Sequence, residues 1–332
     1  MFKYAIACAF VLAGCASSPV LDNAAKLASA GQAASGATVD YIDATADGYQ
    51  GYLDGLSFAA QYPLPPPRDA SPPKGKARAA ADTPPPCNVY GLTPLSAEGR
   101  KSADEYFQRL DKTEAFFTQL SSTYAAFGAL ATYDAKGAVQ SNLEGTVSAA
   151  NGLLGKLNEP SIPDKAGALI AAAGGLFAQH AQEDAVKSAS KSLRAIVERV
   201  SAALKAHRSA FVDVRAEETR VSWEVAATMW CAGLVDARPV LAPLLADSGL
   251  VVAPDPPQDV ALKKGVETLL AARAERAQAR LGTGFDRITA GLDALVVEHN
   301  KLEADGPVDV GRLATLAASL KRLVTANSGT DK

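Results

Sequence analysis

The sequence predicts an all-α fold, an elongated antiparallel helical bundle with long, coiled-coil-like helices, and two observations predict it. Alanine, the strongest helix former, is abundant throughout, while Val, Ile and Thr are too sparse for a strand-rich fold. Apolar residues also recur at alternating spacings of four and three over three long stretches, the seam of helices packed lengthwise. The 332 residues leave room for one large domain or two ordinary ones. Their hydrophobic share of 48% and charged share of 21% are those of a globular protein. The formal net charge of -3 is spread along the chain and leaves no basic footprint of domain scale, which argues against a nucleic-acid partner.

The elements follow in order. Residues 15–62 form a helical segment in which Tyr41, Thr45, Tyr49, Tyr52 and Leu56 fall on one face, a stripe better suited to packing than to holding a ligand. Residues 63–92 are a Pro-rich loop; its prolines forbid a regular helix, and its polar filler cannot build a core. Arg68, Lys74, Lys76 and Arg78 outnumber Asp69 and Asp82 there, so the loop is locally basic, either a solvated linker or a contact for an anionic surface.

The helical bundle domain occupies 93–327. Its first seam is Tyr106, Leu110, Thr113, Phe117, Leu120, Tyr124, Phe127 and Ala131. A second runs Leu193, Val197, Val200, Leu204, His207, Phe211, Val214, Glu218, Val221 and Val225, which predicts one helix over about 185–232, roughly 70 Å long. A third joins Leu281, Phe285, Ile288, Leu292, Leu295, His299 and Leu302, with a kink expected at Gly282-Thr283-Gly284. Pro239 to Pro257 is a break between the second and third seams, and after Gly306-Pro307 a last amphipathic helix follows, with Asp309 placed to cap it.

The first twenty residues read MFKYAIACAFVLAGCASSPV. Lys3 supplies a positive start, and Tyr4 to Leu12 is apolar but too short to span a bilayer. Leu12-Ala13-Gly14-Cys15 then resembles the lipobox of bacterial lipoproteins, which signal peptidase II cuts before the cysteine; the alternative is ordinary secretion, for which Ala13-Gly14 also suffices. The resemblance implies that residues 1–14 are a signal peptide and that Cys15 carries a diacylglycerol thioether and an N-acyl chain such as palmitate, anchoring the mature chain to a membrane. Ala16 after the cysteine implies the outer membrane, facing the periplasm, with the inner membrane or cell surface as alternatives.

Cys8 would be lost with the signal, leaving Cys87 and Cys231. An oxidising compartment favours a disulfide between them, against two buried thiols. Chain entropy would credit so long a loop with roughly 4 to 5 kcal/mol.

Little in the rest points to chemistry. His180, His207 and His299 show no i, i+3 or i, i+4 pairing of histidines, and no P-loop, GxSxG elbow or Rossmann glycine fingerprint appears. His207 and His299 occupy seam positions on neighbouring helices and are the weak metal candidates, with Glu218 or Glu303 as partners; fixing helix register is the commoner use of such residues. Glu217-Glu218 and Glu298-Glu303 read as solvated surface. Residues 166–178, AGALIAAAGGLFA, are apolar, and a hairpin over 135–180 resembles in outline the membrane-inserting head of α-helical pore-forming toxins; Leu169, Ile170, Leu176 and Phe177 would then touch membrane. The alternative is a small-residue hairpin packed on the bundle. The expectation is therefore a membrane-anchored envelope lipoprotein with a non-catalytic scaffold, adaptor or binding role toward an envelope protein, needing no cofactor. A membrane-active protein and a metal-binding or enzymatic bundle are the rivals.

Overall fold

The computed structural model describes residues 18–61, 95–132, 136–163, 179–231, 235–236, 238–245 and 260–327. Among them are eight helices and no strand: α1 (Pro19–Gln61), α2 (Ala97–Thr132), α3 (Lys136–Lys156), α4 (Gln179–Ala206), α5 (Ser209–Cys231), α6 (Arg238–Leu245), α7 (Val260–Glu303) and α8 (Gly311–Asn327). α1 and α7, with 43 and 44 residues, are each about 65 Å long.

Local chemistry sets the ends. Pro19 opens α1, where its missing N–H is no loss. Ser96 caps α2 by accepting the Gly99 N–H at 3.0 Å. Asp309 accepts the Gly311 N–H at 3.0 Å and so opens α8 as expected. Asn158 and Asp305 close α3 and α7 by the same device. Both have positive φ (57° and 58°), the region Asn and Asp tolerate best after glycine. The next N–H then reaches back, Glu159 to the Leu154 carbonyl at 2.9 Å and Gly306 to the Lys301 carbonyl at 2.8 Å.

The seams are the core. All eight residues of the first seam, from Tyr106 to Ala131, are buried. The tyrosine stripe buries Thr45, Tyr49, Tyr52 and Leu56, with Tyr41 partly covered. Tyr49 packs edge-on against Tyr106 and Phe107, and the Ala28 methyl sits beside Gly128. Falling numbers in α1 thus meet rising numbers in α2, so the two are antiparallel. The same test makes α7 antiparallel to α4 (Arg194–Glu303, Ser201–Asp293) and to α1 (Asn23–Gly306, Tyr41–Gly284). α5 runs parallel to α1, since Gly48 lies beside Arg215 and Gly55 beside Val225. A smaller core of Ala227, Trp230, Val266 and Leu270 joins the end of α5, α6 and the start of α7.

Two expectations are corrected, and a third site gains a role. The second seam is two helices: after Ala206 the chain tightens through His207 and Arg208, with Ala210 and Phe211 N–H groups donating three residues back. His207 is drawn to Glu159 and Arg208 to Asp286, while the apolar spacing continues in register across the break. α6 occupies part of the expected break after Pro239; that proline lies in the first turn, where its ring is tolerated. Finally, α7 passes through Gly282-Thr283-Gly284 without interruption. These glycines are seats for other helices' side chains: a Cβ on Gly284 would lie 2.3 Å from the Tyr41 ring, and one on Gly282 would lie 2.2 Å from an Arg208 nitrogen.

Candidate functional site

The histidine and carboxylate marked on the seams each sit in a polar cluster inside the bundle. The first is centred on His299 of α7, which is wholly buried. Its Nε2 lies 2.9 Å from the Tyr124 hydroxyl of α2, and its Nδ1 lies 2.8 Å from Ser190 Oγ of α4. Ser190 donates in turn to Glu303 (3.4 Å), and Arg194 donates to both Glu303 oxygens at 3.0 to 3.3 Å. Ser190 has one hydrogen to give: with it on the carboxylate, Ser190 accepts from Nδ1–H and Nε2 accepts from Tyr124; with it on Nδ1, Nε2–H donates to Tyr124. Burial first, and the Arg194 cation second, push the imidazole pKa down to about 3. Burial pushes the Tyr124 hydroxyl well above its usual range. A neutral, fully paired histidine without exposed surface joins three helices.

The second cluster is the Arg215–Glu218 pair of α5. Arg215 Nη1 donates to both Glu218 oxygens at 2.8 Å and to the Thr45 carbonyl of α1 at 3.2 Å. Gly48 leaves the space, because a Cβ there would be 3.0 Å from Nη1. Burial outweighs the adjacent cation and raises the Glu218 pKa to about 7. Tyr41, Tyr49, Tyr52 and Tyr106 lie within electrostatic reach of this carboxylate. Beside the pair is a cavity of about 40 Å³, lined by Tyr41, Thr45, Tyr106, Phe211, Arg215 and Phe285 among others. It has room for a few waters, and Arg215 Nε has no hydrogen-bond partner.

His207 and His299 do not share a site. His207 is bonded to Glu159, 3.1 Å away in the turn after α3, where Arg199 also holds Glu159 at 2.9 Å. Those two hydrogen bonds keep the Glu159 carboxyl below its usual range, that from His207 first. Glu303 does serve His299, through Ser190, whereas Glu218 serves Arg215. The assignment of Glu218 and Glu298 to solvated surface is also corrected, since both are buried. Glu298 accepts the Asp309 N–H and a Lys301 ammonium hydrogen, both at 2.7 Å, which ties α7 to the loop that opens α8. Spacing had marked Glu218 as a seam position; nothing in the sequence marked Tyr124, Ser190 or Glu159 as partners.

Cys15, Cys87, Leu169, Ile170, Leu176 and Phe177 lie outside the described residues, as does the side chain of Cys231, whose backbone ends α5. Among the described residues, no group of three or more His, Cys, Asp or Glu side chains is placed to hold a metal ion. No described helix is long and apolar enough to cross a membrane. No family model, curated protein or solved structure matches the chain.

Proposed function

We propose that this protein is a cell-envelope lipoprotein, anchored through acylated Cys15, whose helical bundle serves as a non-catalytic scaffold or adaptor for an envelope protein. The observation that carries the reading is the tetrapeptide Leu12-Ala13-Gly14-Cys15 with a folded bundle starting directly behind it: Ser18 is already buried and α1 begins at Pro19. The interior supports a structural role. The His299 groups pair with one another and tie three helices together, Arg215 ties Glu218 of α5 to α1, and long amphipathic helices offer extended sides to partner helices. Ala16 favours the outer membrane, with the bundle in the periplasm.

That compartment also favours a Cys87–Cys231 bridge. Cys87 lies eight residues before Leu95, a reach of up to about 28 Å. Leu95 and Cys231 stand at the same end of the bundle, because α2 starts where α1 finishes and α5 runs parallel to α1.

The test is Cys15→Ser expressed in a diderm bacterium with palmitate labelling and membrane fractionation. The lipoprotein reading expects loss of the label, slower migration of the unprocessed chain and release from washed membranes. Unchanged labelling and fractionation would overturn it. Crosslinking in cells then identifies what the sides of the bundle touch.

A further inference from the structure

The two ends of the bundle are unlike, and the anchor reaches only one. The start of α1, the α7–α8 turn, the start of α4 and the end of α2 lie together: Asn23 donates to the Gly306 carbonyl, Lys187 pairs with Asp305 at 2.6 Å, and Gln182 donates to the Leu130 carbonyl at 2.7 Å. The opposite pole holds the end of α1, the end of α5, α6 and the start of α7, packed around Trp230, Val266 and Leu270. Three residues separate Cys15 from the buried Ser18 inclusive, a tether of about 11 Å at full stretch.

Such a tether leaves two postures, lying flat or standing on end. A flat posture needs a side that inserts apolar residues or attracts anionic headgroups. The described sides offer neither. The α1–α2 side is acidic, with Asp40, Asp43, Asp47, Asp54 and Asp111 all exposed. Four cations along α4, α7 and the turn after α4 are held in pairs, Lys187 with Asp305, Arg194 with Glu303, Lys205 with Asp293 and Arg208 with Asp286, and the exposed Lys191, Lys264 and Arg276 are spread along the two helices and form no cluster. The α8 side is the most basic, with exposed Arg312, Lys321 and Arg322, fewer than the roughly 4–8 cations that mark a lipid-binding cluster. Among the described residues the large exposed apolar ones are Phe58, Val235, Leu244 and Val297, and the first three belong to the far pole.

Taking the Cys15 anchor as given, we infer that the bundle stands end-on at the lipid surface, with the α7–α8 turn against the headgroups and the Trp230 pole held about 60 Å away. The partner of the near pole is the bilayer, reached through the lipid on Cys15. The far pole, which holds the end of α1 and the start of α2, is the part displayed toward other envelope components.

The test uses the full lipidated chain on vesicles of phosphatidylethanolamine and phosphatidylglycerol that carry a headgroup acceptor dye. A donor fluorophore is placed at Ala304, Arg322 or Leu244, one per preparation. Energy transfer should be strongest from Ala304, intermediate from Arg322 and several-fold weaker from Leu244. Equal transfer from all three, or strongest transfer from Arg322 or Leu244, would overturn the end-on posture while leaving the anchor intact. Failure of the wild-type chain to float with the vesicles, or flotation of Cys15→Ser equal to wild type, would overturn the anchor and this posture with it.

Discussion

The Tyr124 hydroxyl and His299 Nε2 meet at 2.9 Å across 175 residues of sequence, inside a core that admits no exposed surface to either. The bond sets the register of α2 against α7. Tyr124→Phe keeps the ring and leaves the buried Nε2 without its partner, which should destabilise the fold by about 1–3 kcal/mol. His299→Leu strands the Tyr124 hydroxyl, takes one of the two partners of Ser190, which keeps Glu303, and should cost more. Urea unfolding of the two single variants and the double variant is the measurement. The double variant should be more stable than the sum of the single losses predicts, by about 1 kcal/mol or more. Strict additivity would mean that the pair is not coupled.

The two clusters should oppose one another in pH. His299 has its folded pKa pushed from 6.5 down to about 3, so its stabilisation is full above pH 6.5 and is lost as pH falls toward 3. Glu218 has its folded pKa raised from 4.5 to about 7, so its contribution is full below pH 4.5 and is lost as pH rises through 7. Between pH 4.5 and 6.5 the slopes cancel in part, and wild-type stability should be nearly flat. Glu218→Gln removes one slope. Relative to wild type the variant should gain on the order of 3 kcal/mol between pH 4 and pH 8, and its own stability should fall visibly on acidification below 6.5. Chemical denaturation across this range decides the matter; parallel curves for the two proteins would refute the assignment.

Glu298 makes a prediction about the α7–α8 turn. Its Oε2 holds the Asp309 N–H at 2.7 Å, beyond the reach of the backbone bonds by which Ala304, Asp305 and Gly306 close α7. Glu298→Ala leaves that N–H without its acceptor, with an expected loss of about 1–3 kcal/mol. Hydrogen exchange at Asp309 should accelerate well before exchange in the α2 core does. Uniform acceleration would instead mean that Glu298 supports the whole fold.

Periodicity made the helices legible, and it did so where burial is one-sided. Every residue of the Tyr106–Ala131 seam is buried, and Asp309 caps where expected. The break at His207-Arg208 was not legible, because neither glycine nor proline marks it and the apolar spacing runs straight through. Its cause lies on other segments, in Glu159 and Asp286. Glu298 failed in the same way: charge and a basic neighbourhood suggest solvent, and only the packed chain reveals the Asp309 N–H that makes its burial tolerable. The histidines were found as seam residues, but their partners sit on helices far away in sequence. Pattern within one helix predicts what is buried and leaves open what it meets.

The glycines test this last point, because space around each has opposite consequences. In α7, a Cβ on Gly284 would lie 2.3 Å from the Tyr41 ring, whereas one on Gly291 would meet nothing within 4 Å. The same contrast holds in α1, where a Cβ on Gly31 would be 2.6 Å from the Tyr124 ring and one on Gly36 would meet nothing. Alanine in an open helical site should stabilise by about 0.5–1 kcal/mol through helix propensity and the lost freedom of the unfolded chain. Alanine in a filled site must displace an aromatic ring, and overpacking of that kind costs about 1–3 kcal/mol. Gly291→Ala and Gly36→Ala should therefore raise Tm while Gly284→Ala and Gly31→Ala lower it, all four within helices of the same bundle. If all four moved Tm upward, Tyr41 and Tyr124 would not be seated on α7 and α1 as described.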